Sequence, residues 1–368
     1  MKFRQLDLLR CSCGKSNMDV KNGTIRQVNF GFAIDKVRCE RFCGLKRVTV
    51  ADGKVNSADC AECYKQEITE GNIVCECGQK YPVIRGVPRF LPEKLAGNFE
   101  KVQKTFSYEW KMFRFGERNW GQDIEFRKEQ FLKGMGVTPD DLKGKLMFDA
   151  GCGSGVLSIE MAKSFGMEVI ALDLAFGIEK AYDHNDSPFV HFLQGSVLDP
   201  PFRKDSFDYI YCAGVLVALP DTQTGFLSII KSLRKGGRCF IWVYHLLDKA
   251  HYPKERIKML TYDSIRKYCT SRLPIAAQYY LYLSMMSIFL IKREIEVLAG
   301  ITKDRRTWRE KMQNMFDMFS PIYFNRHLSS EVCDWYRKAG FENVSVAYSE
   351  KHGFGVRGEL RKQGSFLV

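Results

Sequence analysis

No stretch of this chain is both long and apolar enough to cross a bilayer as a helix. The longest apolar run, Ala276–Ile291, has 16 residues and is interrupted by Gln278, Ser284 and Ser287. A helical span needs roughly 20. The opening residues Met1–Arg10 are too short and too interrupted for a secretory signal, so the expectation is a cytoplasmic enzyme. A dinucleotide fingerprint is also missing. G-x-G-x-x-G beginning at Gly151 would need glycine at position 156, where Val156 stands. Acidic residues are in deficit: 43 Asp and Glu against 56 Lys and Arg leave a formal charge of +13. Such a balance suits nucleic acid, anionic lipid or a phosphorylated substrate, or else a solvated basic face with no partner.

What the chain does have is an ordinary globular composition, 45% hydrophobic and 27% charged over 368 residues, enough for two or three domains. Its most informative segment is residues 145–155. An apolar strand there runs into Asp149, glycines follow at 151, 153 and 155, and a helix is predicted over Val156–Phe165. Glycines at a strand end allow a nucleotide-type ligand to approach the backbone closely. A second strand, Glu168–Leu172, ends at Asp173, whose carboxylate can accept hydrogen bonds from both ribose hydroxyls. Strands are then expected at Val190–Gln194 with Gly195, at Phe207–Ala213, and at Cys239–Tyr244 after the turn Lys235-Gly236-Gly237. Helical patterns at Phe176–Asp183 and Thr222–Leu233 separate them. This alternation predicts an α/β fold with a parallel sheet covered on both faces.

Asp149 followed by alternate glycines resembles motif I of the class I S-adenosylmethionine (SAM) methyltransferases of type 11. The phrases "PPFRKDSFDYIYCAGVL" and "LRKGGRCFIWVY" resemble their fourth- and fifth-strand regions, and the likeness covers roughly residues 100–360. The resemblance implies a Rossmann-like, seven-stranded core that binds SAM. Its cofactor site would comprise Asp149, Ala150, Gly151, Cys152, Gly153, Gly155, Asp173, Leu174, Gly195, Ser196, Val197, Ala213 and Gly214. Ser196 stands where relatives commonly carry an acid for the adenine amino group. A histidine pair found in many relatives after strand four is replaced by Val217 and Ala218. The segment Cys212-Ala213-Gly214-Val215 lacks the Asn-Pro-Pro-Tyr type motif of the adenine- and glutamine-N-methylating branch.

Eight of the 13 cysteines precede residue 78, in close pairs: Cys11/Cys13, Cys39/Cys43, Cys60/Cys63 and Cys75/Cys77. In a cytosolic chain such pairs point to metal rather than to disulfides. Tetrahedral Zn²⁺ takes two thiolates from each of two tight turns. Two zinc ions are therefore expected, one on Cys11, Cys13, Cys75 and Cys77 and one on Cys39, Cys43, Cys60 and Cys63, with pairing in chain order as the alternative. The ending "CECGQKYPVIRGVPRFLP" resembles the C-terminal half of the small zinc-ribbon activator subunit of tRNA and protein methyltransferases. In this chain that ribbon would be fused to the core.

The expected organisation is a zinc-ribbon domain at 1–92, a linker and helical cap at 93–144, the SAM-binding core at 145–245 and 329–368, and a helical insertion or lid at 246–328. The aromatic segment Thr105–Phe113, with Phe106 and Trp110, either closes over the SAM pocket or packs as core. The helix carrying Tyr279, Tyr280, Tyr282, Met285, Met286 and Phe289 is apolar nearly all round, so a bundle, a homodimer or a peripheral membrane contact would cover it. Residues 248–311 carry twice as many basic as acidic side chains, which also suits RNA. Methyl transfer to a sugar hydroxyl needs a base. His245 and His327 are the candidates, with Tyr211 and Tyr244 as outsiders, and Arg326 and His327 are expected at the pocket mouth. The favoured reading is O-methylation of a small-molecule or lipid- or nucleotide-linked sugar. The alternatives are an RNA or protein methyltransferase that uses its zinc ribbon for recognition, and a non-catalytic SAM-binding scaffold.

Overall fold

A computed structural model describes the chain except residues 30, 32, 33, 93, 94, 96, 113, 119, 120, 248–251, 299–306, 351 and 363–368, and except the side chains of 288–290, 292–294 and 296–298. Phe113, Phe289 and part of the basic stretch 248–311 therefore lie outside the described residues. The N-terminal part forms β1 (Met18–Gln27), β2 (Phe42–Cys43), β3 (Val48–Thr49), α1 (Ser57–Lys65), β4 (Gln66–Cys75), β5 (Lys80–Ile84) and β6 (Val87–Phe90). Helix α1 starts at a reciprocal cap in which the Asn56 side chain accepts from the Asp59 N–H and Asp59 accepts from the Asn56 N–H. β1, β4, β5 and β6 make an antiparallel meander.

Three helices follow: α2 (Asn98–Met112), α3 (Ile124–Met135) and the short α4 (Pro139–Leu142). Then β7 (Leu146–Ala150), α5 (Val156–Phe165), β8 (Glu168–Asp173), α6 (Gly177–Asp183), β9 (Val190–Gly195), β10 (Phe207–Ala213), α7 (Thr222–Ile229) and β11 (Leu233–His245) alternate. β7 and β9 are buried at every position, as strands covered on both faces must be. α8 (Pro253–Tyr268), α9 (Ile275–Leu298) and α10 (Trp308–Phe319) form the insertion. β12 (Arg326–His327), α11 (Ser329–Lys338), β13 (Phe341–Ser349) and β14 (Gly353–Leu360) close the core.

The strands join in one twelve-stranded sheet of order β1-β4-β5-β6-β9-β8-β7-β10-β11-β14-β13, with β12 beside β11. Seven of them, β9-β8-β7-β10-β11-β14-β13, are the Rossmann-like core. The connection reverses direction between β7 and β10, the position where open α/β sheets open a crevice. The sheet is thus larger than the seven strands expected. β6 pairs in parallel with β9 at Arg89–Gln194 and Phe90–Gly195, so the cysteine-rich module extends the core sheet. Two local expectations also change. The helix expected to reach Leu233 stops as α-helix at Ile229 and tightens to a 3₁₀ turn at Ile230–Ser232. β11 begins at Leu233 and runs through Lys235-Gly236-Gly237, with Gly236 at φ +75°, so the glycines bend a strand rather than precede it.

The module and the core also share a buried polar seam. The Glu168 carboxylate, at the start of β8, accepts from Tyr64 Oη at 2.6 Å, meets His191 Nε2 at 2.9 Å, and pairs with Arg4 Nε at 3.1 Å. Arg4 in turn pairs with Asp7 at 2.8 Å. Within the insertion, one face of α9 (Tyr282, Met286) packs on Met312, Phe316 and Phe319 of α10. Its other face leaves Tyr280 and Ile291 about two-thirds exposed, so α9 is not buried all round. Among the described residues no helix is long and apolar enough to cross a membrane.

Candidate functional site

At the carboxyl end of β7 the chain turns through Gly151 (φ +88°) and Gly153 (φ +57°), left-handed conformations that glycine adopts without strain. Space is short as well. A Cβ on Gly153 would fall 2.4 Å from the Trp110 ring, and one on Gly151 would fall 2.2 Å from Val215. The turn is tied to the next strand end. Asp173 Oδ2 accepts from the Gly153 N–H at 2.8 Å and Oδ1 accepts from the Ala175 N–H at 2.7 Å. Burial raises the Asp173 pKa, and those backbone N–H groups oppose the rise. Asp149 accepts from Ser158 Oγ, and burial pushes its pKa up to about 6.

These groups line a cleft of about 500 Å³ beside the switch point of the sheet. Of the thirteen residues expected to hold cofactor, all but Ala150 and Gly155 line it. Ala150 is buried inside β7, and Gly155 caps α5. A carboxylate oxygen accepts more than one hydrogen bond, so Asp173 keeps acceptor capacity toward the cleft after binding the two backbone N–H groups. The chemistry of this set fits a nucleoside with vicinal hydroxyls.

The other half of the cleft comes from α2, α10 and the end of β11. Glu109, Trp110, Asp317, Trp242, Tyr244 and Arg326 all face it. Tyr244 Oη donates to Asp317 at 2.7 Å. Arg326 forks onto Asp263 at 2.9 and 3.2 Å, and the same carboxylate takes Arg266 at 2.9 Å. Arg127 of α3, missed in the sequence, lines the cleft too, and burial lowers its pKa while Tyr211 and Asp149 oppose that.

The two histidines expected as bases do not line the cleft, which corrects that assignment. His245 turns to Ser349 Oγ at 2.9 Å and packs on Phe354. His327 is buried between Thr222 Oγ1 (2.9 Å) and Glu331 (3.2 Å), edge-on to Trp335. Strand alternation explains the miss. His245 and His327 are register partners, as are Tyr244 and Arg326, so one pair faces the cleft and the next faces away. Both outsiders, Tyr211 and Tyr244, do line it, as does Arg326. Glu109 and Asp317 do not stand out in the sequence as site residues: 208 residues separate them, and the segment Thr105–Phe113 that holds Glu109 draws attention for its rings rather than for its acid.

Among the described residues, Cys11, Cys13, Cys75 and Cys77 are the one group whose four ligand atoms all lie within 4.8 Å of one another. The Cys11–Cys77 and Cys13–Cys75 sulfurs stand 3.7 and 3.8 Å apart. Four thiolates ~2.3 Å from a tetrahedral Zn²⁺ are ~3.8 Å apart, whereas a disulfide needs ~2.05 Å. The donor set therefore fits zinc. The Tyr81 hydroxyl adds an outer contact, 3.1 Å from the Cys11 sulfur. The other quartet, Cys39, Cys43, Cys60 and Cys63, does not close to the same mutual distance.

Comparison with known proteins agrees with the fold. Residues 148–241 match the family described as methyltransferase domain. Phosphoethanolamine N-methyltransferase 2 of Caenorhabditis elegans is 29% identical over 34% of this chain and 29% of its own length. O-methyltransferase rstn1 of Aspergillus nomiae is 28% identical over 32% and 55%. The chain thus spans less than two thirds of these relatives. Among solved structures, magnesium protoporphyrin IX methyltransferase from Synechocystis PCC 6803 superposes with a TM-score of 0.41 at 14% identity, covering 70% of this chain and 98% of that one. The stretch 148–241, which spans the glycine turn after β7 and the strand end at Asp173, is thus the part of the chain that is similar to the methyltransferase domain family.

Proposed function

We propose that the protein is a SAM-dependent methyltransferase whose acceptor is a small molecule enclosed between the core and the helical insertion. The observation that carries this reading is the convergence of Asp149, the glycine turn, Asp173, Gly195–Val197 and Ala213–Gly214 on one cleft, whose opposite wall is made by α2 and α10. SAM bound there would supply a methyl group activated by its sulfonium. Asp173 would hold the ribose hydroxyls, the Gly151–Gly153 backbone would let the cofactor lie against the strand ends, and Trp110 would exclude water above the turn. The protein's contribution to such a displacement is chiefly positioning and desolvation.

A zinc-ribbon recognition module for RNA or protein is the second reading, and the placement of the module weighs against it. No described residue of 1–92 lines the cleft, and the meander joins the sheet at β9, on the far side of β7 from the insertion after β11. The cysteines then staple a module too small to hold itself together, with zinc on Cys11, Cys13, Cys75 and Cys77 and a second ion on Cys39, Cys43, Cys60 and Cys63. The test is transfer from isotopically labelled SAM in fractionated extracts, with Asp173→Ala as control. Label in the small-molecule fraction that vanishes with the variant supports the reading. Label in RNA, together with retention on RNA that falls steeply with salt, would overturn it.

A further inference from the structure

In the insertion half of the cleft, one buried carboxyl group has an oxygen without a partner among the described residues. Glu109 of α2 is 1% exposed and lines the cleft, yet its Oε2 oxygen has no hydrogen-bond partner. A buried carboxylate normally faces a cation or several N–H groups, because an unpaired one costs several kcal/mol. Its surroundings, among the described residues, are apolar burial, the Asp317 carboxylate and the Gln313 amide. The cations of this region are committed elsewhere. Arg326 and Arg266 share Asp263, Arg266 also acts on Asp317, and Arg127 acts on Tyr211 and Asp149, so that among the described residues none of the three acts on Glu109. Burial and the neighbouring acid both press the Glu109 pKa far above the ordinary carboxylate range. Asp317 already takes the Tyr244 hydroxyl as donor. Aromatic rings complete the surroundings, since Trp110, Trp242 and Tyr244 line the same cleft. Ring faces and a desolvated carboxylate together form the environment that attracts an alkylammonium. A neutral hydroxyl would satisfy one hydrogen bond but would not offset the cost of ionising this buried carboxyl, whereas an ammonium does both.

We propose that Glu109, with Asp317 and Tyr244, forms the acceptor subsite of this cleft and binds an amine-bearing small molecule as its ammonium; one N–H proton passes to the Glu109 carboxylate, and the freed lone pair takes the methyl group while the sulfonium leaves as the neutral thioether S-adenosylhomocysteine. The proposal rests on the methyltransferase reading for the word acceptor; the subsite itself rests on the orphaned carboxylate and the rings around it. The amine would dock with an N–H aimed at Glu109 Oε2, and Asp317 would stay oriented by Tyr244.

The experiment uses the full chain saturated with S-adenosylhomocysteine (SAH) and two probes of one shape, benzylamine and benzyl alcohol, titrated by NMR. The amine is expected to bind at least tenfold tighter than the alcohol. Glu109→Gln should remove that preference, leave SAH affinity within twofold, and unfold no earlier than wild type, since it relieves a buried unpaired acid. Asp317→Asn provides a second variant with the same expected loss of preference. Equal binding of the two probes, or an amine preference retained in both variants, overturns the subsite. A tenfold loss of SAH affinity in Glu109→Gln also overturns it, by assigning the acid to the amino group of the cofactor. Failure of the wild type to bind SAH would count against the methyltransferase reading alone, because the amine preference can then be measured on the ligand-free chain.

Discussion

Glu168→Gln tests whether the cysteine-rich module and the core are one folding unit. The side chain is 4% exposed and gathers Arg4 and Tyr64 from the module with His191 from β9. Removing one partner of a buried ion pair typically costs ~3–5 kcal/mol, mostly because the other charge is left unpaired. Arg4 would keep Asp7 at 2.8 Å, which favours the lower end, about 3 kcal/mol. The pH dependence has a definite sign. Burial works against the Glu168 carboxylate, but Arg4, His191 and Tyr64 outweigh it and hold its pKa well below the usual range. A depressed carboxyl stabilises the fold above its unfolded pKa of ~4.3 and loses that contribution as the pH falls. His191 is shifted down by burial despite Glu168, so it adds destabilisation once the pH drops below ~6.5. Urea unfolding followed by tryptophan fluorescence, from pH 2 to pH 8, measures both effects. Wild type should lose stability toward acid in a single transition, and Glu168→Gln should start lower and show a flatter acid limb below about pH 4.5. A variant within ~0.5 kcal/mol of wild type at pH 7, the scale of an ordinary surface change, would refute the reasoning. So would an unchanged acid limb, or separate unfolding of the two parts.

Much of the core was legible because its signals are local. The strand running into Asp149, the three glycines and the strand ending at Asp173 fix where the cleft opens, since each is a short segment whose geometry follows from its own residues. The outer cysteine quartet was legible for a similar reason: Cys-Ser-Cys-Gly and Cys-Glu-Cys-Gly announce the same turn twice. What stayed hidden depends on pairing across the chain. Nothing in residues 87–90 says that β6 will dock on β9, because two residue pairs suffice to make the join. The histidines were misplaced because one step along β11 decides whether a side chain meets the cleft or the far face. A motif-based reading ranks His245 and His327 by chemistry alone. Glu109 and Asp317 meet only through the packing of α2 on α10, where Tyr108 lies against Phe316.

Three further outcomes are expected. Metal analysis should find two zinc ions per chain, and Cys75→Ser should lower the content by one; a metal-free preparation, or a variant at wild-type content, would contradict the cysteine assignment. His327→Ala should lower the unfolding free energy by ~1–3 kcal/mol, the usual cost of leaving buried hydrogen-bond partners unmatched, with SAH affinity unchanged; calorimetry showing a tenfold weaker SAH complex would return His327 to the site. Asp173→Ala addresses the cofactor site directly. Each charge-assisted bond from the carboxylate to a ribose hydroxyl is worth ~1.5–3 kcal/mol, so SAH binding should weaken by roughly tenfold to several hundredfold. Part of that loss could come from the turn itself, because Asp173 also holds the Gly153 and Ala175 N–H groups. pH separates the two causes. Burial raises the Asp173 pKa, so wild-type affinity for SAH should fall as the pH drops through that raised value, where the fold still holds the turn. The alanine variant has no such carboxyl, and its weaker affinity should lose this acid dependence. Wild-type affinity in Asp173→Ala would refute the site, and an acid dependence identical in both proteins would assign the loss to the turn rather than to the ribose contact.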